Sequence, residues 1–132
     1  MKKIITFGVF DYFHLGHLRL FEQCKQHGDY LIVAVQDGDS ILKYKPDAKV
    51  LYSTNDRIHM VNSIKCVDKV VTYKSIYPDI MNYDFDILAL GEDHTAERFM
   101  NAAKWCEDNG KEVVRLKRTQ GICSSDIKNS IK

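Results

Sequence analysis

The segment GVFDYFHLGH, residues 8–17, holds two histidines separated by two residues. It follows a short apolar run, so a first strand should end here and a first helix begin. Positions i and i+3 share a helix face, so His14 and His17 would project together from the first turn. Unpaired N–H groups and a positive dipole end make this turn suitable for a polyphosphate, to which imidazoles donate hydrogen bonds. Gly16 leaves room for a ligand to approach the backbone.

Two other interpretations of the histidine pair stay open. An H-x-x-H pattern with Asp11 nearby is also compatible with a transition-metal site. Two surface histidines with ordinary hydrogen-bond partners would need no ligand at all. The choice depends on whether other phosphate-binding residue types fall at the same place.

Two further polar clusters follow predicted strands. Gly91-Glu92-Asp93-His94 is one, and residues 118–125, RTQGICSS, are the other. Arg118 is a forked cation that suits phosphate, and Ser124 or Ser125 is suited to cap a last helix. Each feature alone would be an ordinary loop residue or helix cap. Their expected convergence on one location favours the phosphate-binding interpretation.

The hydrophobic pattern predicts the elements that must position these clusters. Short apolar runs, β-branched at residues 30–35, predict five strands, at residues 4–7, 30–35, 69–72, 87–90 and 112–116. Apolar residues at helical spacing predict helices ending near Gly28 and Gly110. A capping-box-like sequence, S-T-N-D from Ser53, begins another helix. Strands alternating with helices predict an α/β fold, a single doubly wound five-stranded parallel sheet.

The fold predicts where a ligand would lie. In an open parallel sheet, ligands bind beyond the carboxyl ends of the strands, where the strand order reverses. If the first strand is central with the fourth beside it, all three polar clusters meet in one crevice. Residues 36–52 are predicted to be a long irregular connection, and they carry Lys43, Lys45 and Lys49. Such connections are commonly functional or mobile.

The composition of the chain limits the classes of protein to which it can belong. A chain of 132 residues, 45% hydrophobic and 28% charged, suits one soluble domain over residues 1–132. Its formal net charge of +1 gives no field that favours a nucleic acid or a membrane as partner. No apolar run is long enough for a bilayer or a signal peptide, so a cytoplasmic location is expected. The absence of C-x-x-C, G-x-G-x-x-G, P-loop and nucleophile-elbow patterns argues against a zinc site, a dinucleotide dehydrogenase, a P-loop enzyme and a serine hydrolase.

Two stretches resemble the signatures of the cytidylyltransferase family. Thr6-Phe-Gly-Val-Phe-Asp11 followed by His14-Leu-Gly-His17 is similar to G-[TS]-F-D-x-x-H-x-G-H. Residues 118–125 are similar to the second signature, R-T-x-G-I-S-T-[TS]. The similarity extends over essentially the whole chain. H-x-G-H alone is shared with adenylyltransferases, whereas the two signatures together, in a chain this short, are specific.

The resemblance implies an activity and its setting. Members transfer CMP from CTP to a phosphorylated alcohol, giving a CDP-alcohol and pyrophosphate, with Mg²⁺ accompanying CTP. The acceptor phosphate attacks the α-phosphorus in line, without a covalent enzyme intermediate, so the protein positions the reactants and stabilises charge. The resemblance further implies a Rossmann-like nucleotidyltransferase fold, a homodimer, glycerol 3-phosphate as acceptor and a role in the synthesis of cell-surface polymers.

The resemblance also assigns roles to residues of this chain. Contacts to the nucleotide are expected from Val9, Phe10, His14, Gly16, His17, Lys45, Gly91, Asp93, Arg118, Thr119, Gly121, Ile122, Cys123, Ser124 and Ser125. Four of these, His14, His17, Lys45 and Arg118, are expected to be catalytic. Asp11, Lys43 and Lys65 are expected at the acceptor.

Three departures from the family pattern affect the substrates. Val9 replaces a hydroxyl residue, and Cys123 replaces the first serine of the second signature. The tryptophan and lysine that bind the acceptor after the third strand cannot be placed in residues 74–79, where Lys74 is the only lysine and Tyr77 is the aromatic nearest the expected tryptophan. CTP is therefore better supported than glycerol 3-phosphate. Another phosphorylated acceptor, an adenylyltransferase using ATP, and a nucleotide-binding module without turnover stay as alternatives, although the intact H-x-G-H and K-x-K argue against the last.

Overall fold

Strands and helices alternate along residues 1–11, 13–92 and 94–117, the part of the chain that the computed structural model describes. The strands are β1 (Lys3–Gly8), β2 (Tyr30–Gln36), β3 (Lys69–Tyr73), β4 (Ile87–Gly91) and β5 (Glu112–Leu116). The helices are α1 (Leu15–His27), α2 (Gly38–Tyr44), α3 (Thr54–Asn62), the short α4 (Ile76–Asp79) and α5 (Glu97–Asp108). A 3-10 turn, Ile80–Asn82, follows α4. All five predicted strands are confirmed.

The sheet has the order β3-β2-β1-β4-β5, and every neighbouring pair is parallel. β1 is central, with Ile5 aligned to Ile32 of β2 and to Leu88 of β4. Strand order runs outward one way from β1 to β3 and the other way from β4 to β5. The switch point therefore lies between β1 and β4, as the predicted fold requires.

Both faces of the sheet are covered, because β-strand side chains alternate between faces. On one face Ile5 and Leu88 pack with Ala102 and Cys106 of α5. On the other face Ile4 and Leu31 pack with Phe21 of α1 and Val61 of α3. The two layers of helices make the sheet doubly wound and bury the middle residues of its central strands, whose ends are partly exposed.

Two glycines end helices for different reasons. Gly110 follows α5 at φ +72°, a left-handed conformation that glycine adopts without steric cost. Gly28 follows α1 in an extended conformation, and its N–H donates to the Cys24 carbonyl at 3.1 Å. A Cβ on Gly28 would lie 3.0 Å from Ile4 Cγ2, so this glycine is required by close packing against β1. Both predicted helix ends are confirmed.

Residues 36–52 differ from the prediction because they contain α2. Ile41 is buried and its N–H donates to the Asp37 carbonyl at 3.1 Å, which fixes the first turn. The Gly38 N–H donates to Thr54 Oγ1 at 2.9 Å and ties the helix start to α3. A helix of seven residues is too short to display the periodicity that identifies longer helices.

Other local predictions have separate outcomes. Ser53 caps α3 as predicted, with its Oγ accepting from the Asp56 N–H at 3.1 Å. The short α4 was not predicted. The expected last helix, with Ser124 or Ser125 at its start, lies outside the described residues. None of the helices in the described ranges is both long and apolar enough to span a bilayer.

Candidate active site

A cavity of about 340 Å³ lies beyond the carboxyl end of β1, at the switch point of the sheet. Four segments form its walls: β1 with the following turn, α1, α2 with the residues after it, and the turn after β4. The lining residues are Phe7, Gly8, Val9, Phe10, Asp11, His17, Leu20, Ile41, Lys45, Ala48, Lys49, Val50 and His94. Four of the residues expected to bind nucleotide, Val9, Phe10, His17 and Lys45, therefore share one cavity. We call it the central cavity.

The turn after β1 forms one wall of the central cavity. Phe10 has φ +56°, which is unusual for a residue with a side chain, and it is 4% exposed. Its ring folds back over Gly8, where an added Cβ would lie 2.7 Å from the Phe10 ring. The same ring makes edge contacts with His17 and Phe21 at centroid distances of 5.4 and 5.3 Å. Gly8 thus leaves the space that the Phe10 ring of this aromatic wall occupies.

His14 and His17 cap the N-terminus of α1 through each other's backbone. The His14 Nδ1 accepts from the Gly16 N–H at 3.0 Å, and the His17 Nδ1 accepts from the His14 N–H at 3.3 Å. The two rings stack with centroids 4.0 Å apart. This is the capping-box arrangement built with imidazoles, and it fixes both rings at the start of α1. Of the two, His17 lines the central cavity, and His14 is not among the lining residues.

The cap fixes the tautomer of both histidines. A ring nitrogen that accepts a hydrogen bond carries no proton, so each neutral ring carries its proton on Nε2. Burial, with a smaller effect from His14, lowers the pKa of His17 to about 4. His17 is therefore uncharged near neutral pH, and its Nε2–H is a donor for a phosphate oxygen.

Arg57 is a functional candidate that sequence reasoning missed. It lies on α3, is 0% exposed, and joins three segments. Its Nη1 donates to the Gln36 carbonyl at 2.7 Å and to the Val9 carbonyl at 3.0 Å. Its Nε donates to the Tyr52 carbonyl at 3.2 Å, and Nη2 to Thr54 Oγ1 at 3.1 Å. The guanidinium thereby holds the turn after β1 against the end of β2.

Acidic groups accompany this buried cation. Burial lowers the pKa of Arg57, and the carboxylates of Asp11 and Asp37 oppose that effect. Asp11 is 7% exposed and accepts from the Leu51 N–H at 2.6 Å and the Tyr52 N–H at 3.0 Å. Asp11 lines the central cavity, as expected of an acceptor-binding residue, but both its carboxylate oxygens also anchor the segment after α2.

The lysines are distributed unequally around the central cavity. Lys45 follows α2 directly, and it lines the cavity together with Lys49. Lys49 was noted in the sequence but was not among the expected site residues. Lys43 lies in the last turn of α2, exposed, and it is not a lining residue. Of the two lysines Lys43 and Lys45, only Lys45 lies in the wall of the central cavity.

Lys65 does not reach the central cavity of its own chain. It follows α3, next to Asp68, whose N–H donates to the Leu31 carbonyl and whose carboxylate accepts from the Leu31 N–H. Leu31 is the second residue of β2, so Lys65, three residues before Asp68, lies near the amino-terminal edge of the sheet. The cavity lies at the opposite edge, about five residues of β2 or roughly 16 Å away. The structure therefore separates Lys65 from the central cavity of its own chain, and its expected contact with the acceptor stays a prediction.

The turn after β4 contributes His94, a second residue that sequence reasoning did not select. The His94 Nδ1 accepts from the Gly91 N–H at 3.2 Å, and its ring stacks on Phe99 with centroids 4.4 Å apart. Arg115 donates to the His94 carbonyl at 2.7 Å and to the Gly91 carbonyl at 3.3 Å. His94 belonged to the polar cluster after the fourth predicted strand, which was the available signal.

The structure describes some of the remaining expected site residues and not others. Gly91 ends β4 within this turn, and Gly16 lies in the first turn of α1. The others lie outside the described residues: Asp93, Arg118, Thr119, Gly121, Ile122, Cys123, Ser124 and Ser125.

A second cavity, of about 460 Å³, lies at the carboxyl ends of β2 and β3. Its lining is polar and contains none of the residues expected from the sequence: Asp37, Thr54, Thr72, Tyr73, Lys74, Asp79, Asn82 and Tyr83. Arg57 links the two cavities, because its guanidinium contacts Val9 in one wall and Thr54 in the other. We call it the polar cavity.

Comparison with known proteins gives a consistent result. The cytidylyltransferase-like family model matches residues 5–130. Glycerol-3-phosphate cytidylyltransferase of Bacillus subtilis is 36% identical, with 99% of this chain and 98% of that protein covered. The enzyme of the same name from Staphylococcus aureus is also 36% identical, with 99% and 96% covered. An FAD synthase of Ferroglobus placidus is 33% identical, with 95% and 84% covered.

A solved structure shares the fold. The lipopolysaccharide core biosynthesis protein of Thermoplasma volcanium superposes with a TM-score of 0.76 at 23% identity, covering 91% of this chain and 99% of that one. The shared fold extends over nearly the whole chain.

Proposed function

The chain belongs to the cytidylyltransferase-like family, and on that premise we propose that it transfers CMP from CTP to a phosphorylated alcohol, glycerol 3-phosphate first among them. An oxygen of the acceptor phosphate attacks the α-phosphorus of CTP. The bond from that phosphorus to the bridging oxygen breaks, and pyrophosphate leaves. The products are a CDP-alcohol and pyrophosphate.

One observation carries this proposal: the reciprocal cap of His14 and His17 at the N-terminus of α1, beside a cavity that Lys45 and Lys49 also line. The fixed tautomers supply Nε2–H donors, and the lysines supply positive charge. Pre-organised donors stabilise charge that develops on phosphate oxygens because they need no reorientation during the reaction. Both features suit a triphosphate better than a metal ion.

The acceptor assignment rests on the relatives and on the polar cavity. Two relatives with 36% identity are named glycerol-3-phosphate cytidylyltransferase. The polar cavity adjoins the central cavity through Arg57, and its hydroxyl and amide groups suit the hydroxyls of a polyol. Its lining also includes Lys74 and the carboxylates of Asp37 and Asp79, so we assign the polyol to this side and its phosphate to the central cavity, whose wall includes Asp11, Lys45 and Lys49.

Mg²⁺ is proposed to arrive with CTP, held chiefly by its phosphates. In the described ranges, no three side chains of His, Cys, Asp or Glu lie together as a metal-binding group. Mg²⁺ commonly binds through substrate phosphates and water with few protein ligands. Bound in this way, it would neutralise phosphate charge alongside Lys45.

The setting of the enzyme is proposed from the family resemblance. A cytoplasmic homodimer that supplies a CDP-alcohol for a cell-surface polymer fits a nucleotide-consuming reaction of this kind. The net charge of the chain does not favour a nucleic acid or a membrane as partner, and the reaction requires neither.

An adenylyltransferase is the second candidate, because the FAD synthase relative is 33% identical. Pyrophosphate release should be measured with CTP, ATP, UTP and GTP against glycerol 3-phosphate, other phosphorylated alcohols, phosphorylated amines and FMN. We expect CTP with glycerol 3-phosphate to give the highest kcat/KM. A preference above about tenfold for another acceptor, or roughly 1.4 kcal/mol, would overturn the acceptor alone. A preference for ATP would overturn cytidylyl transfer.

A further inference from the structure

The position of Lys45 depends on how the C-terminal end of α2 is held. Ser40 and Ile41 are the buried residues of this helix, and both lie in its first half. Leu42 and Tyr44 are 46% and 47% exposed. Lys45 follows at once and lines the central cavity. The end of α2 that precedes Lys45 therefore has little apolar packing of its own.

A cationic and aromatic contact lies at that end. The Arg98 guanidinium, from the first turn of α5, is 5.4 Å from the centroid of the Tyr44 ring. The same guanidinium is 4.7 Å from the centroid of the Phe99 ring. Phe99 stacks on His94 at 4.4 Å with an interplanar angle of 10°. A continuous series of contacts thus runs from Tyr44 to His94.

This series joins opposite walls of the central cavity. Lys45 and Lys49 line the side that follows α2, and His94 lines the side that follows β4. Arg98 is a partly buried residue between them, and its charge lies between two aromatic faces. Cation–π attraction to both rings orients a guanidinium in this way.

We propose that Tyr44 and Arg98 form a latch that holds the C-terminal end of α2 against α5 and thereby positions Lys45 over the nucleotide phosphates. Both are positioning residues, since they act through Lys45 and His94. The inference rests on the proposed function in one respect, that a nucleotide occupies the central cavity. When the latch opens, the wall that carries Lys45 moves away and the cavity becomes accessible.

The expected strength suits a latch that opens often. An exposed cation–π contact favours the closed state by about two- to fivefold. Two backbone hydrogen bonds report the closed state: Lys45 N–H to the Ile41 carbonyl and Ala48 N–H to the Lys45 carbonyl, both 2.9 Å. Opening that frays this end of α2 exposes both amides to exchange with water.

The latch is tested first without nucleotide. Amide hydrogen exchange at Lys45 and Ala48 should be measured for Tyr44→Leu, Arg98→Met and the double variant. Each single change should accelerate exchange about two- to fivefold, and the double variant should be no faster than a single one, because either change removes the same contact. Tyr44→Phe keeps the ring and Arg98→Lys keeps the charge, so both should stay close to wild type.

Three results would overturn the latch. The first is unchanged exchange at both amides in Tyr44→Leu and Arg98→Met. The second is multiplication of the two effects in the double variant, which would make them independent. The third is equal acceleration of exchange by Arg98→Met and by Lys104→Met, which removes an exposed positive charge from the same helix.

Steady-state kinetics then separates the latch from the proposed function. Tyr44→Leu and Arg98→Met should raise KM for CTP about two- to fivefold with little change in Tm, while Tyr44→Phe and Lys104→Met keep the wild-type KM. Unchanged KM values in an active enzyme would refute the latch alone. If the wild-type chain releases no pyrophosphate from CTP while the exchange pattern holds, the proposed function is wrong and the latch is supported.

Discussion

The two imidazoles that cap α1 are proposed to serve the reaction as well as the helix, and substitution can separate these roles. His14→Ala and His17→Ala each remove a phosphate donor, which should lower kcat about 10²–10³-fold. Each also removes a cap, which should lower the free energy of unfolding by about 1 kcal/mol. Initial-rate measurements and urea unfolding check the two effects.

His14→Asn is the matched control for this pair of effects. Asparagine is among the best N-cap residues, so it should restore the free energy of unfolding while leaving kcat low. Wild-type turnover in both alanine variants would contradict the phosphate role. A zinc ion that survives dialysis and is lost with these histidines would favour the metal interpretation.

The buried, uncharged His17 predicts an acid-sensitive fold. Its pKa is about 4 in the folded chain against an ordinary value of 6.5. His17 therefore binds a proton below pH 6.5 in the unfolded chain, whereas in the folded chain it does so only when the pH falls to about 4. The stabilisation is fully present above pH 6.5 and falls by at most roughly 3 kcal/mol as the pH drops toward 4.

Urea unfolding at several pH values between 7 and 4 measures this loss. His17→Asn should flatten the dependence, whereas His59→Gln, at an exposed position of α3, should keep it. Equal slopes in wild type and His17→Asn would show that another group is responsible.

At the scale of elements, Arg57 connects α3 with the ends of β1 and β2. Arg57→Met keeps the apolar stem but leaves the carbonyls of Val9, Gln36 and Tyr52 without their charged donor. The free energy of unfolding should fall by about 3 kcal/mol or more. Urea unfolding checks this, with Arg19→Met on the exposed face of α1 as control, for which a change below about 0.5 kcal/mol is expected. A similar loss in both variants would contradict the linking role.

The segment after α2 carries the lysines that line the central cavity. Lys45→Ala should lower kcat/KM about ten- to a hundredfold, because a charge-assisted bond to phosphate is lost. Lys104→Ala on α5 is the control for loss of a surface charge. CTP should also protect residues 36–52 from trypsin, which cleaves after Lys49. Unchanged cleavage in the presence of CTP would contradict closure of this segment on the nucleotide.

The elements that the sequence predicted best are those with a long or one-sided apolar pattern. Five short apolar runs identified the strands, and Phe21 with Cys24 identified the buried face of α1. The short α2 was not predicted because a helix of two turns shows no measurable period in its apolar residues. Arg57 was not selected because the polar helix start T-N-D-R is typical of a solvent-exposed segment. Only the fold shows that three carbonyls converge on its guanidinium.

At the scale of the whole molecule, the parallel sheet explains which site residues could be anticipated. Residues directly after β1 and β4 must meet at the switch point, so His14, His17 and the cluster at Gly91 were predictable from order alone. Lys65 was selected by resemblance, which gives no information on the edge of the sheet where a residue lies. The return of α3 to the amino-terminal edge carries it away from the cavity.

The family resemblance predicts a homodimer, and the mass in solution tests it. One chain has a mass of 15.3 kDa, so sedimentation equilibrium should give about twice that value. Exposed apolar side chains near α2, at Leu42, Leu51 and Tyr52, offer surface for such pairing. A mass near that of one chain, independent of concentration, would contradict the dimer.

The uncharged imidazole of His17 has a consequence for the departure of products. Uncharged donors act only at hydrogen-bonding distance, whereas lysine charges attract an anion over about 10 Å at moderate salt. Among the described residues that line the central cavity, the lysine charges that attract pyrophosphate over this distance lie on the segment that carries Lys45 and Lys49. Withdrawal of that segment, as the proposed latch allows, would carry these charges away from the product, and pyrophosphate would leave without a competing anion to displace it.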